Sequence, residues 1–248
     1  MNNVNDLYFD GYYKEIWKTL IPDELTRKEI EFMVPHFALQ PGSRVLDLMC
    51  GYGRHALALA KQGIQVTAID NLPAYTDEIR QKAAEENLPV ETVCAGVLSF
   101  QPAGLYDLAI CMGNSLNFFN AADTNQILTH TARALKPGGH LLINSWTLAE
   151  IVYARPLSNN WSRIGGYTFL NAPQFRQSPA RVEVESIILG PDGDRETKTG
   201  VDYIYSLNEM EQLLHGTGFR LEATYSIPGR KTFSPGDPRA YLVASKTD

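Results

Sequence analysis

The chain has 248 residues, with 22 basic and 28 acidic side chains and a formal net charge of −6. Hydrophobic residues make up 44% and charged residues 20%, a globular mixture that excludes disordered, fibrous and low-complexity classes. Net acidity weighs against phosphate-backbone binding, which needs clustered Lys and Arg, so a small molecule is expected as partner and no nucleic acid. Cys50, Cys94 and Cys111 form neither a disulfide framework nor a zinc spacing, and the histidines show no metal pattern, so no metal is expected. The start lacks the basic end and apolar run of a signal peptide, and no stretch approaches the ~20 apolar residues of a membrane span. A cytoplasmic protein without a membrane partner is the expectation. Nothing in the sequence sets an oligomeric state.

In chain order, residues 1–40 suit a helical cap carrying the aromatic residues Tyr8, Phe9, Tyr12, Tyr13 and Trp17. Its ring face either packs on the core or folds over a ligand, and in the second role Tyr12 or Tyr13 makes the contact. An apolar strand is predicted at 44–49, a helix at 54–62 closed by Gly63, a strand at 65–69 and a helix at 72–86. Strands at 90–94 and 106–112 follow, then a helix at 123–135 capped by Asp123, and a fifth strand at 140–146. This alternation reads as an α/β fold whose parallel sheet is covered by helices on both faces. Ligands in such sheets bind at the edge formed by the strand C-termini.

After Trp146 the texture changes. Strands at 167–170, 181–189 and 196–205 form an antiparallel insertion over 151–205, the last two joined by Pro191-Asp192-Gly193-Asp194. Because it follows strand five, it rises over the same edge as a lid or substrate element. Trp161, Tyr167, Phe169, Phe175, Arg176, Tyr203 and Tyr205 either line an acceptor pocket there or stabilise the small sheet. Ser206-Leu207-Asn208-Glu209 is a capping box opening a helix, and strands at 219–227 and 240–246 close the chain. The main domain is expected over 41–150 and 206–248.

Function concentrates in Val45-Leu46-Asp47-Leu48-Met49-Cys50-Gly51-Tyr52-Gly53-Arg54-His55-Ala56. A strand ends, Gly51 and Gly53 turn the chain close to a ligand, and a helix begins. Asp70 ends the next strand, where a carboxylate can accept both ribose hydroxyls of a nucleoside. Gly51-x-Gly53-x-x-Ala56 formally fits a dinucleotide fingerprint, so an NAD-dependent oxidoreductase is an alternative. Asp47 opposes it. Four residues before Gly51, its carboxylate would repel a pyrophosphate but can orient an amino-acid ammonium group.

Together with Tyr106-Asp107-Leu108-Ala109-Ile110-Cys111-Met112-Gly113-Asn114-Ser115, the turn Lys136-Pro137-Gly138-Gly139 and the closing two-strand segment, this stretch resembles the class I S-adenosylmethionine-dependent methyltransferases. The resemblance implies a seven-stranded sheet with the last strand antiparallel, and a methyltransferase acting on O or N of a small molecule. S-adenosylmethionine is the implied cofactor and S-adenosylhomocysteine the product; a non-catalytic cofactor-binding protein is the other alternative. By the same resemblance, Asp47, Met49, Cys50, Gly51 and Gly53 surround the methionine part and Asp70 holds the ribose. Asn71 and Leu72 flank the adenine, Gly96, Val97 and Leu98 cover its other face, and Met112, Gly113, Asn114 and Ser115 line the methyl end. Asn117 and Phe118 then face the substrate.

Two departures stand out: Met49 replaces the first glycine of the usual run, and Ala95-Gly96-Val97-Leu98 lacks the frequent adenine-binding acid. No catalytic residue is determined. His55, Tyr12, Asn117 and Arg176 are candidates, His55 as a base beside the loop and Arg176 as a cation selecting an anionic acceptor.

Overall fold

The computed structural model describes residues 3–102 and 104–247. Its elements in chain order begin with helices α1 (Tyr12–Leu20) and α2 (Asp23–His36), then β1 (Arg44–Leu48), α3 (Arg54–Ala60), β2 (Gln65–Asp70), α4 (Pro73–Glu85) and β3 (Val90–Cys94). There follow β4 (Tyr106–Cys111), α5 (Ala121–Ala134), β5 (Leu135–Ser145) and the short α6 (Ala149–Val152). The insertion is β6 (Asn160–Ile164), β7 (Tyr167–Gln177), β8 (Ala180–Leu189) and β9 (Arg195–Tyr203). The chain ends with α7 (Leu207–Gly216), β10 (Phe219–Ile227), β11 (Lys231–Thr232) and β12 (Ala240–Lys246).

The main sheet runs β11-β10-β12-β5-β4-β1-β2-β3. β1 pairs in parallel with both β2 and β4, so successive crossovers diverge from it, and a crevice opens above its C-terminal end. β12 is antiparallel to β5 and β10. The seven expected strands are present, and the two-residue β11 adds an eighth at the edge. Core side chains fill both faces. Leu46 and Leu48 pack in one cluster with Ile69, Leu141 and Ile143, while Val45 joins Val66, Ile110, Leu142 and Val243 in the other. Burying each such side chain stabilises the fold by about 1.5–3 kcal/mol. Among the described residues no helix is long and apolar enough to cross a membrane.

Helix boundaries follow their caps. Ser206 and Glu209 form the expected capping box of α7. At α5 the expectation is corrected: Asn120, not Asp123, is the N-cap, its side chain accepting from the N–H groups of Ala122 and Asp123 at 2.9 and 3.0 Å. Asp123 instead accepts from Asn120 Nδ2 at 2.9 Å.

The insertion is a four-stranded antiparallel sheet, β6-β7-β8-β9. β6 is an extra strand, and β7 continues past the expected stop, through Pro173. Pairing with β6 ends at Asn171, so one edge of β7 is open beyond it and tolerates a nitrogen without a proton. The N-terminal helices divide their packing. Ile16 of α1 is fully buried with Ile164, Phe169 and Ile188 of the insertion, whereas Ile30 and Met33 of α2 join the main core.

Gly53 caps α3 in the left-handed region (φ 75°), and a Cβ there would meet Ile79 of α4 at 2.5 Å. Gly53→Ala is expected to lower stability by about 2–4 kcal/mol, combining left-handed strain with overpacking. Gly51, with nothing within 4 Å of its added Cβ, escapes the overpacking part of that loss. Urea unfolding of the two variants checks the difference.

Candidate functional site

Above β1 the chain reverses through three left-handed residues, Met49 (φ 54°), Gly51 (φ 54°) and Gly53 (φ 75°). Met49 is a bulky side chain at a backbone position that favours glycine. Hydrogen bonds hold the turn: Cys50 N–H donates to Ile69 O, and Gly51 N–H donates to Asp70 Oδ2, both at 2.9 Å. Asp70 Oδ1 accepts from Leu72 N–H at 3.0 Å. Burial raises the Asp70 carboxyl above its ordinary range, and these backbone donors oppose the shift.

The turn forms one wall of a cavity of ~810 Å³. Asp47, Met49, Cys50 and Gly51 line it from the β1 end, and Asp70, Asn71 and Leu72 from the β2 end. Gly96, Val97 and Leu98 close it above β3, and Met112, Gly113 and Ser115 above β4. Asp47 is 1% exposed and its Oδ2 is a buried oxygen without a hydrogen-bond partner. Burial pushes its carboxyl up to about 7, with Arg54 opposing and Asp70 adding to the shift. The N-terminal segment supplies the roof. Phe9, Tyr13 and Trp17 line the cavity, with Phe9 4.7 Å from the Phe118 ring and Trp17 5.8 Å from Trp146. Asn71 Nδ2 ties this roof to the β2 end by donating to Asp6 Oδ1 at 3.1 Å.

Two expected cofactor residues stand behind the wall. Gly53 packs on Ile79, and Asn114 is 1% exposed with its amide fully engaged. Asn114 Nδ2 donates to Thr147 Oγ1 and Asp202 Oδ1 at 2.8 and 2.9 Å, while its Oδ1 accepts from Trp146 and Thr147 N–H at 2.9 and 3.0 Å.

The catalytic candidates fare differently. His55 lines the cavity, but its Nε2 lies 2.8 Å from Glu29 Oε2, which also accepts from Arg54 Nη1 at 2.5 Å. Burial, reinforced by Arg54, lowers the His55 pKa, so the imidazole is neutral and its Nε2–H donates to Glu29. For Glu29, burial works against ionisation, yet His55 and Arg54 hold the carboxyl down at about 2. His55 is thereby committed to packing the loop. Tyr12 lies outside the cavity lining because its ring packs on Tyr167 at 5.2 Å and its N–H donates to Glu196. Asn117 donates to Thr147 O and Tyr203 O and accepts from Ser145 Oγ at 2.8 Å, so it braces the strand ends. Arg176 is exposed on β7 and pairs with Glu183 at 2.8 Å, away from the cavity. Phe118 lines the cavity beside Phe9.

Sequence reasoning missed Trp146 and Glu29. Trp146 immediately follows β5 at the ligand-bearing edge, so its position in the strand order was the available signal. Glu29 carried none, since an acid on an amphipathic helix reads as solvated.

Residues 45–139 match the family described as a methyltransferase domain. The chain is 32% identical over 139 residues to an S-adenosyl-L-methionine-dependent Diels-Alderase of Talaromyces variabilis, a match covering 54% of this chain and 47% of that one. It is 32% identical over 127 residues to a ubiquinone biosynthesis O-methyltransferase of Xanthomonas campestris pv. campestris (strain B100), covering 50% and 52%. The chain spans about half the length of these curated relatives. An S-adenosylmethionine-dependent methyltransferase from Clostridium acetobutylicum ATCC 824 has the same fold, with a TM-score of 0.81 at 14% identity over 96% of this chain and 97% of that one. The CcbJ methyltransferase from Streptomyces caelestis gives 0.79 at 18% identity over 99% and 97%. Residues 45–139 are thus similar to a methyltransferase domain, and almost the whole chain has the fold of solved S-adenosylmethionine-dependent methyltransferases.

Proposed function

We propose that the chain binds S-adenosylmethionine in this cavity and methylates O or N of a small organic molecule, in the cytoplasm, releasing S-adenosylhomocysteine. The observation that carries the reading is the orphaned Asp47 Oδ2, buried beside the glycine loop and across it from Asp70. An ammonium group and a pair of ribose hydroxyls satisfy these two carboxylates. A dinucleotide pyrophosphate at the glycine loop would be repelled by Asp47, which disfavours the oxidoreductase alternative.

The residues present fit the cofactor. Asp47 would meet the amino-acid ammonium group, and Asp70, with lone pairs left beside its backbone donors, the ribose hydroxyls. Asn71 and Leu72 on one side and Gly96, Val97 and Leu98 on the other would hold the adenine by apolar and backbone contact. Bound S-adenosylmethionine supplies a methyl group already activated on a sulfonium, so the protein's task is chiefly alignment. Met112, Gly113 and Ser115 would line the methyl end. Tyr13, Trp17 and Trp146 present ring faces that suit a cation and exclude water. In this reading residues 1–40 cap the site and the 151–205 insertion borders the acceptor. Net acidity supports a small-molecule partner rather than nucleic acid.

One relative is named as a Diels-Alderase, so cofactor binding and methyl transfer are separate questions for experiment. S-adenosylhomocysteine should raise the melting temperature, and Asp70→Ala should abolish the rise; a shift that survives removes Asp70 from the ribose site. Tyr13→Ala or Trp17→Ala should weaken binding about tenfold by calorimetry, whereas Tyr12→Ala should cost stability alone. Protonation of Asp47 below about pH 7 removes the charge that the ammonium group needs. Affinity for S-adenosylhomocysteine should therefore rise by up to about tenfold between roughly pH 6 and 8, and Asp47→Asn should flatten the profile.

A further inference from the structure

The roof of the cavity begins at a single 3-10 turn, Val4–Leu7. Two side-chain amides fasten it. Asn3 Nδ2 donates to Phe118 O and Asn5 Nδ2 to Val201 O, both at 2.9 Å, and Asn5 Oδ1 accepts from Val201 N–H at 2.8 Å. Held in this way, the turn presents Asp6 to the cavity, which it lines together with Asn3 and Asn5. Asp6 Oδ2 accepts from Asn3 N–H at 2.9 Å and so caps the turn. Its Oδ1 reaches across to Asn71 Nδ2 at 3.1 Å, a contact that the cap does not need. A carboxylate has about four lone-pair sites, so each oxygen can still accept another donor.

Among the described residues four acids line the cavity: Asp6, Asp10, Asp47 and Asp70. Asp47 and Asp70 stand at the ends of β1 and β2, and Asp10 is exposed, its Oδ1 accepting from the adjacent Gly11 N–H at 2.7 Å. Asp6 remains, tied to Asn71 on the wall that suits the adenine. The facing wall, Ala95 to Ser99, has one polar side chain, and the Ser99 hydroxyl donates to Gly96 O at 3.0 Å.

We propose that Asp6 selects adenine over other purines by accepting a hydrogen bond from its exocyclic amino group, so that the N-terminal segment reads the base. The inference rests on the cofactor reading and adds a specificity residue to it. Contacts to the two faces of a purine, such as Leu72 and Val97 supply, do not sense the substituent at its sixth position. An amino group there is a donor, and an oxo group is an acceptor. A carboxylate receives the first and faces the lone pairs of the second, which leaves two acceptors unsatisfied in an enclosed site. A site built to hydrogen-bond one group rejects an analogue lacking it more strongly than apolar fit can. Asn3 on the turn and Asn71 on the wall fix the direction of the carboxylate, and the amino group becomes its third donor.

Calorimetry with S-adenosylhomocysteine and its 6-oxo analogue, S-inosylhomocysteine, tests the assignment. The wild type should bind the adenine form about thirtyfold more tightly than the 6-oxo form. Asp6→Asn, which keeps the side-chain size and adds an N–H donor, should narrow that ratio to within about threefold. Asp6→Ala should narrow it in the same way, by losing affinity for the adenine form. Tyr12→Ala, which loosens the roof from outside the cavity, should leave the ratio at its wild-type value. A residue that only capped the turn would, when replaced, weaken both forms by one factor. Equal affinity of the wild type for the two forms, or Asp6 variants that keep the wild-type ratio, therefore overturns the proposal and leaves the cofactor reading standing. A wild type that binds neither form overturns the cofactor reading and this inference with it.

Discussion

The buried carboxylate of Glu29 is the contact on which the glycine loop rests. From α2 it receives Arg54 and His55 of α3 and the Tyr241 hydroxyl of β12, the last at 2.7 Å. Two segments distant in sequence are thereby clamped to the first turn of the helix that follows the loop. Removing one partner of such a buried charge pair typically costs about 3–5 kcal/mol, because the remaining charge is left in a medium that cannot solvate it. The clamp also explains why a histidine beside the loop is not a free base: its nitrogen is spent on holding the helix.

Glu29 and the Asp47 carboxylate of the cavity obey one rule with opposite results. Both are enclosed, but Glu29 is bonded directly to a guanidinium and is held low, whereas Asp47 is compensated weakly and rises to about 7. Asp70 is raised by burial too, and backbone donors oppose the shift. Enclosed acids whose charge is only weakly compensated suit a site whose positive charge arrives with its guest. The aromatic roof of Tyr13, Trp17 and Trp146 has the same preference, since ring faces are the other surface that a cation favours. Behind the cavity wall, the Asn114 amide binds the ends of β4, β5 and β9 together.

Much of the architecture was legible in local pattern. The parallel strands β1, β2 and β4 read as largely apolar runs, and the expected bounds of β3, β10 and β12 coincide with the observed ones. Where the reading slipped, a local rule met a tertiary exception. Asp123 looked like a cap because it precedes an apolar rhythm, but Asn120 is placed three residues earlier with its carbonyl on the free N–H groups. The strand expected over 167–170 runs on to Gln177, through Pro173, because the edge of β7 beyond β6 is open.

The site was legible where chemistry is local to a turn. Gly51, Asp47 and Asp70 lie at strand ends, and the order β2-β1-β4 brings strand ends to one edge, so their convergence followed from period and topology. By itself the sequence therefore determined the parallel sheet, its ligand-bearing edge and the acids that stand on it. Tertiary structure alone decided which side chains face the cavity: Tyr13 rather than Tyr12, Trp146 rather than Arg176. A one-residue step along a helix or strand swings a side chain by about 100° or 180°, and which face becomes interior is set by what packs against it. That partner lies far away in the chain, as Glu29 does from Tyr241, so no local pattern records it.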